Sequence, residues 1–287
     1  MQLSAAPRPW TRRAVLLGAG GLSACGGPRR PSFQPPTTLA AAVAGAWRDP
    51  LDRARDPWRH PLESLTFWGL RSGQTVLEFW PGAGWYSDIL APFLAATGGK
   101  LYAANLETRD PAARQTVDGY RQRFASQPKL FGSVTLSEFG ARSGPPAPAS
   151  TVDVALFLRN LHNWMAAGIA EKAFRDAFIA LKPGGILGVE EHRAAPGGVQ
   201  DVLAADGYVQ QSYVIQMAQE AGFKLVAASE INANPADTRD HPFGVWTLPP
   251  IRRSSPRGQP DDPTFDHAPY DRVGESDRMT LRFQKLG

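Results

Sequence analysis

The sequence predicts an α/β fold in which helices cover both faces of a mostly parallel sheet. From Gln74 onward, short apolar runs alternate with longer segments of helical periodicity, which is typical of consecutive β–α–β units. A glycine-containing turn, Pro81 to Gly84, follows the first apolar run, where an open α/β sheet places its ligand loop. With 287 residues, 43% of them apolar, the chain is long enough for one such domain with a sizeable core.

Seven strands and four main helices are expected. The predicted strands are 75–79, 100–105, 133–136, 152–158, 186–191, 224–230 and 279–285, and the predicted helices between them are 86–96, 111–125, 165–181 and 208–221. Lys182 to Gly185 (KPGG) is predicted as the turn between the third of these helices and its following strand. Upstream, Thr38 is the expected N-cap of a helix over 39–47, and Pro61 is expected to open another that reaches Leu70.

The first 25 residues have the order of a bacterial secretion signal. A basic stretch ending in Arg12 and Arg13 precedes the apolar run 14–22, and LSAC ends at Cys25, the only cysteine. TRRAVLL resembles a twin-arginine export motif, and LSAC resembles a lipobox. This resemblance implies an exported protein, anchored by lipid on Cys25 at the periplasmic side of a membrane; if the leader is inactive, the protein stays cytoplasmic. Residues 26–36 are predicted as a Pro/Gly-rich tether and 37–287 as the domain, with 232–278 a long insertion or lid.

The charge balance gives no support for nucleic-acid binding. The whole chain has 31 basic and 27 acidic side chains, and removal of the leader with Arg8, Arg12 and Arg13 leaves 28 against 27. A net charge of about +1 offers no counterion-release advantage on a phosphate backbone. A small molecule is therefore the expected substrate.

The first predicted turn has features suited to a cationic nucleoside. In VLEFWPGAGWY, backbone can approach a ligand at Gly82 and Gly84, and Glu78 precedes the turn by four residues. The third glycine of a dinucleotide fingerprint is absent, and a carboxylate beside the bulky Trp85 opposes a pyrophosphate. A ligand with an ammonium and a sulfonium is favoured instead, since Glu78 can neutralise its positive charge and Trp80 or Trp85 can add cation–π attraction.

The same segment resembles motif I of the class I S-adenosylmethionine (SAM)-dependent methyltransferases, in a lineage with an acid followed by PGxGWY. The similarity extends from about Trp47 to the end of the chain. It implies a Rossmann-like fold with a seven-stranded, mostly parallel sheet whose last strand is antiparallel, and SAM as the cofactor. The activity it implies is methyl transfer to an unidentified small-molecule acceptor.

The resemblance also implies positions around the cofactor. An acid at the end of the second strand normally holds the ribose; this chain has Asn105 there, so either Asn105 or the nearby Glu107 is expected to do so. Glu138, at the end of the third strand, is expected near the adenine, and Asn160 follows the fourth strand at the ligand edge of the sheet.

Two histidines are the candidate bases for an acceptor that carries a proton. His162 follows the fourth strand and His192 follows the fifth, and an imidazole titrates near neutral pH. A structural hydrogen bond at a strand end is the alternative role for each. No metal site is predicted, because alternation along a strand puts only Glu190 and His192 of the run Glu190–His192 on one face. The second function considered is a lipid-anchored binding protein that has this fold without turnover.

Overall fold

A computed structural model describes residues 35–287. The predicted leader, its anchor at Cys25 and most of the predicted tether lie outside the described residues, so those predictions stay untested. Within residues 35–287, no helix has both the length and the hydropathy needed to cross a bilayer.

The described chain contains a seven-stranded mixed sheet with helices on both faces. Its strands are β1 (Thr75–Phe79), β2 (Lys100–Leu106), β3 (Val134–Phe139), β4 (Val152–Leu158), β5 (Leu181–His192), β6 (Phe223–Ser229) and β8 (Arg278–Lys285), while β7 (Pro242–Val245) lies outside this sheet. The order across the sheet is β3-β2-β1-β4-β5-β8-β6. Strands β1 to β5 pair in parallel, and β8 runs antiparallel between β5 and β6. The predicted fold class, including the antiparallel last strand, is confirmed.

Helices precede the sheet and connect its strands. They are α1 (Leu39–Val43), α2 (Pro50–Arg53), α3 (Asp56–Arg59), α4 (Pro61–Phe67), α5 (Ser87–Thr97), α6 (Pro111–Ala125), α7 (Pro128–Phe131), α8 (Leu161–Ala166), α9 (Ala170–Ala180), α10 (Gln211–Glu220) and α11 (Ala268–Val273). The Thr38 side chain accepts a hydrogen bond from the Ala41 backbone, which confirms it as an N-cap. The helix that Thr38 caps ends at Val43, earlier than expected.

Each face of the sheet has its own apolar core because successive strand residues point to opposite sides. On β1, Val76 packs in the core formed with α1, α4, α5, α6 and α7, while Leu77 and Phe79 pack in the core beneath α8, α9 and α10. All but one residue in each of β1 and β4 is buried, which explains why these central strands were predictable from apolar clusters alone.

Several predicted boundaries need correction. The helix expected over 165–181 is two helices, because Gly168 takes a left-handed φ of +67° between α8 and α9. The KPGG segment is part of β5 rather than a turn, with an irregular register where Val152 pairs with Leu181 and Val154 with Ile186. Strand β3 extends to Phe139, so Glu138 lies within it.

Residues 232–278 are largely packed, although they contain little regular structure. Asn234 donates to the backbone carbonyls of Val273 and Glu275, and Asp237 accepts from the Tyr208 hydroxyl at 3.0 Å. Short elements β7 and α11 interrupt the segment. These contacts bring both ends of the segment to the carboxyl edge of the sheet.

Candidate functional site

The turn after β1 exposes one glycine and buries the other. Gly82 has a φ of +60°, is exposed, and a Cβ built on it meets nothing within 4 Å. Gly84 has a φ of +96° and is buried, and a Cβ there would lie 2.7 Å from the Phe124 ring. Gly82 is thus the point of this turn where a ligand can reach bare backbone, whereas Gly84 permits close packing of α6.

Glu78 supports this turn from the interior. Its side chain is 2% exposed and accepts a hydrogen bond of 2.5 Å from the Ser87 hydroxyl, which in turn accepts one from Tyr120. Burial raises the pKa of Glu78 to about 7, and the Ser87 bond opposes that rise. In this structure the carboxylate does not face an open surface, so its predicted contact with a cofactor stays a prediction.

Trp85 is held by the helices that precede the sheet. Its indole nitrogen donates to the Asp52 carbonyl at 3.1 Å, and the Arg48 and Arg59 guanidinium groups lie 5.1 Å and 4.7 Å from its ring centroid. The ring is 8% exposed. The cations that meet this ring therefore come from the protein itself, and they fix α2 and α3 beside the glycine turn.

At the edge formed by β2 and β3, the predicted ribose and adenine residues are neighbours. Asn105 pairs in register with Glu138. The Asn105 amide donates to the Ala103 carbonyl of its own strand, and Glu107 accepts from the Arg142 backbone at 2.9 Å. Glu138 is exposed and accepts from Thr108.

Two features of this edge fit a nucleoside. Among the described residues, the buried Ser137 hydroxyl oxygen has no hydrogen-bond partner, and Glu138, the next residue along β3, is exposed. An unpaired buried hydroxyl and an accessible carboxylate are groups that a polar ligand can satisfy. With the open backbone of Gly82, these groups are compatible with a polar nucleoside at this edge, and the predicted SAM contacts stay predictions.

Asn160 joins the turn after β1 to the end of β4. Its amide donates to the carbonyls of Trp80, at 3.0 Å, and Leu158. Trp80 itself has a left-handed φ of 45°, and its indole packs against Phe139 and Trp164. Asn160 therefore fixes the relative position of the two loops at the ligand edge.

A cavity of about 200 Å³ lies beyond the ends of β4 and β5. Its polar wall is formed by Arg55, Arg59, Arg159, His162, His192 and Ser276. Trp246 and Leu248, from the predicted insertion, form part of its apolar wall. The two histidines proposed from sequence therefore face one space, and their rings are 5.2 Å apart.

A buried carboxylate orients the first histidine. Glu191 accepts from His162 Nδ1 at 2.9 Å and from the backbone N–H groups of Leu161 and His192 at 2.6 Å and 2.8 Å. Because the Glu191 oxygen that meets His162 also accepts from the His192 N–H, we assign the proton of His162 to Nδ1 and the free lone pair to Nε2. His162 thus has the arrangement of a general base with an orienting acid.

His192 has a different environment. Its Nδ1 lies 2.5 Å from the Ser276 hydroxyl, and burial, helped by the positive charges of Arg278 and Arg159 and by His162, lowers its pKa well below the usual value. The ring is therefore neutral at pH 7. It contributes polar lining rather than charge.

The alternation of side chains along β5 predicted that Glu190 lies beside His192, but the glutamate near the two histidines is Glu191. Glu190 pairs with Arg159 and Arg278, whereas the ligand atoms of His162, Glu191 and His192 lie within 4.8 Å of one another. Such a trio has the donor types of a transition-metal site. The adjacent guanidinium groups oppose a cation there, and the expectation of no metal site stays a prediction.

Sequence reasoning missed the contributions of Arg55, Arg59, Glu191 and Ser276. Arg55 immediately precedes α3, Arg59 ends it, and Ser276 lies two residues before β8. Glu191 alone had a local signal, since it is an acid at the end of a strand beside a histidine. The others are joined only by the tertiary fold.

Comparison with known proteins supports the fold assignment. No family model matches the sequence, and no curated protein sequence matches it significantly. Among solved structures, a SAM-dependent methyltransferase from Aquifex aeolicus superposes with a TM-score of 0.51 at 18% identity, over 68% of this chain and 93% of that one. The (4+2)-cyclase SpnF superposes with a TM-score of 0.52 at 18% identity, over 87% and 92%. The chain thus has the Rossmann-like fold seen in SAM-dependent methyltransferases.

Proposed function

We propose that this protein transfers a methyl group from SAM to a small acceptor bound in the cavity beside β4 and β5. The observation that carries the proposal is the juxtaposition of an unobstructed glycine turn with a cavity that contains an oriented histidine. The turn lies at the carboxyl edge of the sheet, where open α/β folds bind ligands. Fold similarity adds to this argument without fixing the reaction.

The residues that would hold SAM are the backbone at Gly82, the hydroxyl of Ser137 and the carboxylate of Glu138. When bound, SAM supplies a methyl group already activated by its sulfonium. Asn160 keeps the β1 and β4 loops in place, and the insertion that carries Trp246 limits water at the cavity. The protein's task is accordingly alignment and removal of a proton.

His162 is the proposed base for that proton. Glu191 holds Nδ1, which leaves Nε2 to accept a proton from an acceptor hydroxyl, amine or thiol. Glu191 is 0% exposed, so its charge is little screened and stabilises the imidazolium that forms. His192 and Ser276 position the acceptor by hydrogen bonds.

The edge formed by β2 and β3 favours a second function, which is ligand binding without turnover. The Asn105 amide nitrogen donates to the Ala103 carbonyl and one Glu107 oxygen accepts from the Arg142 backbone, so both candidate ribose residues already have protein partners. The similarity to a cyclase adds that this fold also supports a reaction other than methyl transfer. Export, if it occurs, separates the protein from cytoplasmic SAM.

Calorimetry of the full-length protein with SAM and S-adenosylhomocysteine separates the two functions. Gly82→Ala should weaken binding of both, because the added Cβ lies where the ligand meets backbone. Gly98→Ala is the matched control, since Gly98 has a similar φ of +77° with nothing within 4 Å and lies at the end of α5. Absence of binding at millimolar SAM would reject the enzyme and leave the second function.

Turnover is tested with a small-molecule extract from cells that lack the protein. Release of S-adenosylhomocysteine from SAM on addition of the extract is the expected result. His162→Gln should slow this release by about a hundredfold or more while SAM binding stays unchanged. Equal rates for the two proteins would remove His162 from the proposed mechanism.

We also propose that the protein acts outside the cytoplasm, held to the membrane through a lipid on Cys25. The order of the first 25 residues supports this, and the net charge near zero of the remainder gives no second membrane attachment. Cys25→Ser should move the protein from the membrane fraction to the soluble periplasmic fraction. Recovery of the unaltered protein in the cytoplasm would contradict the proposal.

A further inference from the structure

The cavity beside His162 has an excess of positive charge. Four guanidinium groups share two carboxylates there: Arg55, Arg59 and Arg278 meet Glu275, and Arg159 and Arg278 meet Glu190. Three of these arginines line the cavity, whereas Glu275 is its lining carboxylate and Glu191 is hydrogen-bonded to the lining His162, so positive groups still outnumber negative ones. Since buried charges are costly without partners, the excess favours an anion in the cavity.

The arginines also keep unused hydrogen-bond donors. The Arg55 Nη2 atom is buried and has no hydrogen-bond partner in the described part of the chain. Arg59 reaches Glu275 through Nε, at 3.0 Å and 3.2 Å from the two carboxylate oxygens, and Arg159 reaches Glu190 through Nη1 at 3.0 Å. No protein acceptor within residues 35–287 meets the Nη atoms of Arg59 by a hydrogen bond. Guanidinium donors of this kind match the oxygens of a carboxylate or a phosphate.

Backbone strain supports a functional role for Arg159. Its φ is +57°, in the left-handed region that favours glycine, and its side chain is 14% exposed. A non-glycine residue in this conformation is strained, and such residues occur often at ligand sites. Here the conformation accompanies a guanidinium that lines the cavity and pairs with Glu190.

The opposite wall defines the rest of the ligand. Trp246, Leu248 and Ile251 present apolar surface to the same space of about 200 Å³. This volume is small for a ligand pocket, so the ligand combines an anionic group with a compact apolar body. A free ammonium would meet the excess positive charge and is disfavoured.

We infer that the acceptor bound in this cavity is a small molecule with a carboxylate or phosphate group, held by Arg55, Arg59 and Arg159, and an apolar body against Trp246. The inference rests on the proposed function in treating the cavity as the acceptor site. Because anion binding does not depend on methyl transfer, an experiment can contradict either proposal without contradicting the other.

Binding of benzoate and benzamide to the full-length protein is compared by calorimetry at pH 7. The two probes have nearly the same shape, and only benzoate is charged, so benzoate should bind at least tenfold more tightly. Equal affinity would overturn the inference. Phenyl phosphate then identifies the head group, because the probe with the tighter binding carries the preferred anion. These measurements use the unaltered protein and do not require any variant to fold.

Arg55→Gln should weaken benzoate binding about tenfold, while Glu275 keeps Arg59 and Arg278 as partners. Arg121→Gln is the matched control, because Arg121 is exposed on α6 and pairs with Asp118. Unchanged benzoate affinity in the folded Arg55→Gln protein would reject the assignment. Displacement of benzoate by S-adenosylhomocysteine would assign the arginines to the cofactor's carboxylate, and would also overturn the inference about the acceptor.

Discussion

Replacing Glu78 by glutamine should change how the stability of the protein depends on pH. Burial raises the pKa of Glu78 to about 7 in the folded protein, against an ordinary value of 4.5. Between these values the native protein keeps a proton that the unfolded chain has released. Stability from this group is therefore present below pH 4.5, falls as the pH rises from 4.5 to 7, and has been lost above pH 7.

The size of the effect follows from the two pKa values. Each pKa unit corresponds to about 1.4 kcal/mol, so the difference between 4.5 and 7 corresponds to about 3 kcal/mol. Glutamine has nearly the same volume and can still accept the hydrogen bond from Ser87, but it has no charge to bury. Glu78→Gln should accordingly be about 3 kcal/mol more stable than the unaltered protein at pH 8.5, and similar to it at pH 4.

Urea unfolding followed by tryptophan fluorescence at several pH values measures this difference. The contributions of all other titrating groups cancel when the variant is compared with the unaltered protein at each pH. Glu63→Gln is the control, because Glu63 is an exposed glutamate on α4. A difference between Glu78→Gln and the unaltered protein that does not change with pH would refute the burial argument.

Three further perturbations test the site. Gly84→Ala should destabilise the protein by about 3 kcal/mol and Gly82→Ala by only about 1 kcal/mol in urea unfolding, because only the former Cβ strikes Phe124; equal losses would contradict this. Asn105→Asp should cost about 1–3 kcal/mol, since a carboxylate cannot donate to the Ala103 carbonyl, and a stable variant with tighter SAM binding would instead favour a ribose role. The NMR signal of the His192 ring should not shift between pH 8 and 6, and a titration midpoint near 6.5 would contradict its lowered pKa. Because His192 takes up a proton below about pH 6.5 only in the unfolded chain, it lowers the stability of the folded protein as the pH falls.

The sheet was predictable because its central strands are nearly continuous apolar runs. Strands β1 and β4 are buried on both faces, so a continuous apolar run in the sequence was enough to locate them. The break between α8 and α9 was missed because it depends on one glycine in a left-handed conformation. An isolated glycine in a helical pattern does not by itself indicate a break.

The cavity was predictable only in part. His162 and His192 follow strands that end at the same edge of the sheet, so their proximity follows from topology. The contact between Arg55 and Glu275 joins residues 220 positions apart, and no local pattern indicates such a pair. The strand alternation rule also failed to place Glu191 beside the histidines, because Glu191 meets His162 from α8 and accepts from the backbone N–H of His192 on its own strand.

Strand β8 is the last of the strands along the chain, yet it lies between β5 and β6 in the sheet. The ribosome must therefore release Arg278 to Lys285 before the sheet can close, and folding has to wait for pairings of long sequence separation. Proteolytic loss of this strand would open two sheet edges and remove an arginine that braces the cavity. A clipped copy would thus lose the strand that joins β5 to β6 together with the support of its binding site.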